Sequence, residues 1–170
     1  MDFASNYSEE RLSSQVLTKQ ASALEAWVRL LRGHASATRE LSAQLVADHG
    51  LTINDYECLL HLSRAEEGRM RRVDLAEQLL LTASGVTRLL DGLERAGFVE
   101  RASCASDRRV TYAVLTAAGR EKLGEASESH IAGVHTFFEE RFTSEELLQL
   151  ASLLERLPEA GGPSAADCSP

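Results

Sequence analysis

The chain has 170 residues and a net charge of −8, and its length fits one domain or one domain plus an extension. Only 5% of its residues are aromatic and Leu and Ala dominate, which favours helices over sheets. No apolar run approaches the roughly 20 residues that span a bilayer, and no secretion signal is visible, so we expect a cytoplasmic protein without membrane contact. Its three cysteines are scattered, which argues against a disulfide framework.

The N-terminal part is predicted to form a long helix. Residues 1–15 are expected to be flexible, and residues 16–50 form the helical region, which Gly50 ends. The apolar residues of this helix recur at the spacing of one buried face: Leu24, Trp27, Val28, Leu31 and Leu45. Thr52 then caps a second helix, with Asp55 in its first turn, where an acidic residue is favourable.

Two short helices separated by a tight turn follow. The first runs from about Arg72 to Leu80, and the second from Ala83 to Arg95, with Thr82 as its cap. The second helix is amphipathic, with apolar residues on one side and small polar or charged residues on the other. This pair predicts a helix-turn-helix.

The segments Phe98–Arg101 and Val110–Leu115 have the composition of strands and flank a polar loop, so they predict a β-hairpin, or wing. Thr116 then caps a long helix, and Thr143 begins a final one with a capping box. We therefore expect a mainly α fold with a small β-hairpin wing: a winged helix-turn-helix lobe over residues 51–116, helices over 117–157 and a disordered tail over 158–170.

The positive charge is concentrated between residues 69 and 109. This segment contains eight arginines and six acidic residues, whereas the whole chain has a net charge of −8. The N-terminal turns of a recognition helix meet base edges in the major groove, and an arginine at a wing tip can enter the minor groove, held by a neighbouring Asp. The predicted DNA-binding residues are accordingly Arg71, Arg72, Ser84, Thr87, Arg88, Asp107, Arg108 and Arg109.

The stretch LAEQLLLTASGVTRLLDGLERAGFVERASCASDRRVTYAVLTAAG, Leu75–Gly119, resembles the MarR family of bacterial transcription regulators, and the resemblance extends from about residue 24 to 157. It implies a homodimer with interlocked N- and C-terminal dimerisation helices, each subunit contacting half of a palindromic operator in double-stranded DNA. The outer helices are also too apolar to stand alone. The residues expected at the shared interface are Leu24, Phe137, Phe138, Phe142, Leu147 and Leu154.

Proteins similar to this one bind small anionic aromatic effectors between the dimerisation region and the DNA-binding lobe, and the effector releases a repressor from its operator. The residues predicted to line such a pocket are Trp27, Arg32, Tyr56, Glu57 and His61. A urate-responsive branch pairs a Trp on the first helix with an Asp on the second. Because Glu57 stands where that Asp falls, urate or a related purine is a minor hypothesis.

Two other functions stay open. A winged helix used as a protein-interaction module is mildly favoured by the acidic net charge and opposed by the clustered arginines. A redox-responsive regulator would act through Cys104 in the wing, whereas Cys58 is expected to pack in the second helix as a small hydrophobe. No nucleophile–base spacing, phosphate loop or metal-ligand set is apparent, so we predict no enzyme, cofactor or metal site.

Overall fold

The computed structural model describes residues 3–103 and 110–157, and the side chains from residue 22 onward within those ranges. The elements in chain order are α1 (Phe3–His49), α2 (Ile53–Arg64), a 3-10 turn (Glu66–Gly68), β1 (Arg69–Arg71), α3 (Arg72–Gln78), α4 (Ala83–Arg95), β2 (Val99–Ser103), β3 (Thr111–Leu115), α5 (Ala117–Glu139) and α6 (Ser144–Leu154). The predicted mainly helical fold with a winged helix-turn-helix is confirmed. Among the described residues, no helix is long and apolar enough to cross a bilayer.

The first helix starts earlier than the sequence predicts. It begins at Phe3, whereas residues 1–15 were expected to be flexible. Residues 3–15 contain neither Gly nor Pro, so nothing in this stretch interrupts a helix that continues downstream. The chain divides into two compact units, Met1–Glu40 and Leu41–Pro170, so most of α1 belongs to the first unit. The predicted disordered tail over 158–170 lies outside the described residues.

The core of the second unit is built from the inner faces of helices that converge on the small sheet. Its largest fully buried side chains come from the end of α1 and from α2, α3 and α4: Leu45, Cys58, Leu59, Leu62, Leu75, Val86 and Leu90. Because one side of α4 is held in this core, the opposite side of the same helix is turned outward. The hydrophobic core therefore fixes which residues of α4 are accessible.

Four threonines begin helices where the sequence predicts them. The hydroxyl oxygens of Thr52, Thr82, Thr116 and Thr143 each accept a hydrogen bond from the backbone N–H three residues onward, at 3.0–3.3 Å. Thr52 and Thr143 form complete capping boxes with the carboxylates of Asp55 and Glu146. The backbone N–H and the hydroxyl of Thr143 both donate to the carboxylate of Glu146, and these two hydrogen bonds hold its pKa below the usual range. Local side-chain chemistry thus sets the helix starts.

The sheet has three strands in the order β1-β3-β2, both pairs antiparallel. The predicted hairpin is confirmed as β2 and β3, with Val99 opposite Leu115 and Ser103 opposite Thr111. Strand β1 was not predicted, because three residues with a single apolar side chain are too few to show the alternation that marks a strand. It forms through its pairing with β3, in which Met70 lies opposite Ala113.

The turn after α4 is tied to the start of α5. Gly97 has a φ of 77°, a left-handed conformation that favours glycine, and it lies between α4 and β2. The carbonyl of Phe98 accepts a hydrogen bond from the backbone N–H of Thr116 at 3.1 Å, and the Thr116 hydroxyl donates to the carbonyl of Gly97 at 2.8 Å. The long helix α5 therefore begins directly against the turn that leads into the wing.

Cys58 is expected to be chemically inert in the native protein. Its side chain is fully buried, as the sequence analysis expected, and burial together with the charge of Asp55 raises the pKa of the thiol to about 12. In a Cys104→Ser, Cys168→Ser variant, alkylation of Cys58 by iodoacetamide at pH 8 should be at least about a hundredfold slower than in 6 M urea, since the thiolate is the reacting species. Equal rates in the folded and unfolded protein would contradict this.

Candidate nucleic-acid interface

The outward side of α4 carries the residues that sequence reasoning placed against DNA. The opposite side of the helix is buried and consists of Val86, Leu90 and Leu93. Ser84 and Arg88 are exposed on the outward side. The first turn of α4 contains no acidic residue, whereas α2 and α6 each have a carboxylate there. The N-terminal half of α4 therefore presents hydroxyl and guanidinium groups without a negative charge between them, which suits an approach to a phosphate-rich surface.

The side chain of Arg88 can extend from this surface. Its Nε donates to the backbone carbonyl of Ser84 across 3.4 Å, a long and weak hydrogen bond. The hydroxyl of Ser84 lies 3.1 Å from that of Thr82, which caps the helix. A forked guanidinium that stands one turn inside the helix start can form two parallel hydrogen bonds to guanine. Ser84 and Arg88 thus have the exposure that base contact requires.

Thr87 and Arg72, both predicted to contact DNA, are in contact with each other. The half-buried hydroxyl of Thr87 donates to the carbonyl of Ala83 at 2.8 Å and accepts a hydrogen bond from Nη2 of Arg72. Since a hydroxyl has one proton, Thr87 has none left to donate to a base in this arrangement. Arg72 is also half-buried, and its Nε has no hydrogen-bond partner among the described residues. This pair links α3 to α4.

Arg71, the residue before α3, also has a partner within the chain. Its Nε and Nη2 donate to the two carboxylate oxygens of Asp74, each at 2.7 Å, and the Arg71 side chain is only 21% exposed. Such a bidentate pair fixes the guanidinium plane. Asp74 was counted among the acidic residues of this segment but was not predicted to pair with Arg71, although the Arg-x-x-Asp spacing at a helix start was a signal for that pair.

Other arginines of the basic segment are paired as well. Arg69 contacts Glu67 at 2.9 Å and lies 5.2 Å above the ring of Tyr112. Arg101 of β2 contacts both Asp91 and Glu94 of α4. A count of charges along the sequence therefore overstates how many guanidinium groups are available to an external anion.

The structure leaves the wing-tip and effector predictions untested. Cys104, Asp107, Arg108 and Arg109 lie outside the described residues. Of the predicted effector residues, Trp27 and Arg32 are exposed, Glu57 and His61 are half-buried and Tyr56 is buried.

Tyr56 links α2 to α5. Its ring centroid lies 4.6 Å from that of His130, and its hydroxyl donates to Ser127 Oγ at 3.2 Å. Burial lowers the pKa of His130. An open cavity of about 480 Å³ lies elsewhere, between α3, the start of α4 and Thr111, and none of the five predicted effector residues lines it. Tyr56 therefore has a packing role that is independent of any effector.

Comparisons with known proteins agree with the fold. A family model described as MarR family matches residues 49–110. The HTH-type transcriptional repressor YetL of Bacillus subtilis is 31% identical over 115 residues, which cover 65% of this chain and 68% of YetL. The structure of AbsC, a MarR family transcriptional regulator from Streptomyces coelicolor, has 36% identity and a TM-score of 0.68 over 76% of this chain and 87% of AbsC. Sco3205, from the same organism and solved in complex with DNA, has 27% identity and a TM-score of 0.72 over 79% of this chain and 84% of Sco3205.

Proposed function

The chain belongs to the MarR family of DNA-binding transcription regulators, which are not enzymes, and we propose that it is a homodimeric repressor that binds a palindromic operator in double-stranded DNA. The observation that carries the proposal is the exposed pair Ser84 and Arg88 on the acid-free N-terminal half of α4. YetL is described as a repressor, and Sco3205 was solved with DNA, which supports the same role here.

Uncovered apolar surface supports the homodimer. Helix α6 has no buried residue within the described protomer, and Leu148 is 73% exposed. In the first unit, Leu24 is 64% exposed. Helices with so many exposed apolar side chains need a surface that covers them. A second copy of the chain supplies a self-complementary one.

Phe137 is an exception among the predicted interface residues. It is buried within its own protomer, and the guanidinium of Arg141 lies 4.1 Å from its ring centroid. We therefore place the interface on Leu24, Phe138, Phe142, Leu147 and Leu154.

We also propose that a small aromatic or anionic effector releases the repressor. Such a ligand acts by binding one conformation of the dimer more tightly than the other, and so changes the population that fits the operator. Trp27, Arg32, Tyr56, Glu57 and His61 are the residues proposed to contact it. A thermal-shift screen that includes salicylate and urate tests this step, and a Tm unchanged by every aromatic anion in the screen would remove it.

The DNA-binding function is tested by selection of duplexes from a random-sequence library, followed by mobility shifts at 50 mM salt. We expect enrichment of an inverted repeat, bound by two chains per duplex, with affinity that falls steeply as salt rises. Light scattering should give twice the mass of the chain. A protein that binds no duplex at 50 mM salt would favour the protein-interaction module instead, and a monomer would contradict the palindromic site.

A further inference from the structure

A single guanidinium joins the recognition helix α4 to β2, the first strand of the wing. Nε of Arg101 in β2 lies 2.9 Å from Oε1 of Glu94, and its Nη2 hydrogen-bonds to Oδ1 of Asp91. Asp91 and Glu94 stand three residues apart and therefore face the same side of α4. The side chains of Arg101, Asp91 and Glu94 are 39%, 47% and 26% exposed, so the group lies at the surface of the lobe.

The two carboxylates are unexpected in this place. They lie on the helix proposed to enter the major groove, and together with Arg101 they carry a net charge of −1 close to a polyanion. Simple charge balance predicts that they weaken DNA binding, since phosphate attraction supplies much of the affinity. Exposed ion pairs also add little to folding stability, which leaves stability as a poor explanation for the group.

Its position gives another explanation. The backbone around Arg101 is fixed in the sheet, since Val99 is buried and Arg101 pairs with the fully buried Ala113. Strand β2 is the first strand of the wing hairpin and pairs with β3 along its whole length, from Val99 to Ser103. Contacts from Arg101 to two successive turns of α4 therefore set the angle between this strand and the helix.

We propose that Asp91, Glu94 and Arg101 form a clasp that positions the wing relative to the recognition helix, so that the two carboxylates increase affinity for DNA. The proposal rests on the proposed function of the chain as a DNA-binding regulator. The three are positioning residues: they act through the placement of α4 and the wing on the duplex. Because its Nε and Nη2 are bonded to the carboxylates, Arg101 acts in this proposal through α4 and not as a phosphate contact.

The sign of the effect tests the clasp. Asp91→Asn and Glu94→Gln each remove a negative charge, yet the double variant should bind the duplex enriched by the wild-type protein about five- to tenfold more weakly, a coupling typical of residues in one network. The matched control is Glu100→Gln, an exposed carboxylate of β2 for which no ion pair is found among the described residues. This control should bind as tightly as wild type, or slightly more tightly. Tighter or unchanged binding by the double variant would overturn the clasp.

Arg101→Gln separates positioning from phosphate contact. If the clasp operates, this change weakens binding about five- to tenfold in the wild-type background and has little further effect in the Asp91→Asn, Glu94→Gln background. An equal loss in both backgrounds would show a direct phosphate contact and overturn the proposal. A Tm within a few degrees of wild type confirms that the variants fold. Failure of the wild-type protein to enrich any duplex would overturn the proposed function and the clasp together, whereas wild-type binding with the wrong pattern among variants would overturn the clasp alone.

Discussion

Gly119→Ala is expected to lower the free energy of unfolding by about 3 kcal/mol or more, the upper range for overpacking a rigid site. A Cβ atom at Gly119 would lie 2.1 Å from the carbonyl oxygen of Phe98 and 2.8 Å from Cδ1 of Leu115. The Phe98 backbone cannot easily move aside, because its N–H donates to the carbonyl of Leu93 at 2.9 Å and its carbonyl accepts from Thr116 at 3.1 Å. Urea denaturation at a fixed protein concentration measures the change, since the stability of the proposed dimer would depend on concentration.

The same helix provides a control for this prediction. Gly124 is exposed in α5, and an added Cβ meets nothing within 4 Å. Gly124→Ala should therefore raise the free energy of unfolding by up to about 1 kcal/mol through helix propensity alone. If the two alanine variants were equally stable, the close approach of α5 to the turn after α4 would not be a constraint on the fold.

The parts of the fold that could be predicted from the sequence are those set by neighbouring residues. Helix starts are an example: a threonine hydroxyl accepts a hydrogen bond from the backbone N–H three residues later, so the capping residue can be recognised from the nearby sequence. The four such caps are Thr52, Thr82, Thr116 and Thr143. Strand β1 could not be predicted in this way, since its existence depends on pairing with β3 some forty residues away in sequence. The start of α1 was not predicted either: the helix begins at Phe3, within the stretch that was expected to be flexible.

In the candidate site, too, features set by neighbouring residues could be predicted and contacts between distant residues could not. Ser84 and Arg88 were predicted correctly as outward residues, because the periodicity of α4 fixes its buried side. Arg71 contacts Asp74 only three residues away, but position along the sequence gave no information on the partners of Arg72 and Arg101. Arg72 is hydrogen-bonded to Thr87, fifteen residues away, and Arg101 contacts Asp91, ten residues away. These contacts form only after the helices and strands have packed, so they required the structure.

Arg88→Ala is expected to weaken binding to the enriched duplex by about 1–3 kcal/mol per half-site and to relax the preference at one base pair in each half. Arg88 is the exposed guanidinium on the outward side of α4 nearest the helix start, and only a weak hydrogen bond to Ser84 engages its Nε. Loss of a bidentate base contact affects the cognate sequence most, because the other sequences never supplied its acceptors. Competition binding against single-base variants of the duplex measures both affinity and preference.

Arg95→Ala is the matched control on the same helix. It removes the same charge from an exposed position near the end of α4, where Nε of Arg95 donates to the carbonyl of Asp91 at 3.0 Å. Because base edges are contacted from the N-terminal turns, Arg95→Ala should weaken binding to all sequences alike, with no change in the preferred base. An Arg88→Ala variant that loses affinity uniformly, as Arg95→Ala does, would assign Arg88 to the phosphates and would leave Ser84 as the remaining candidate on α4 for base contact.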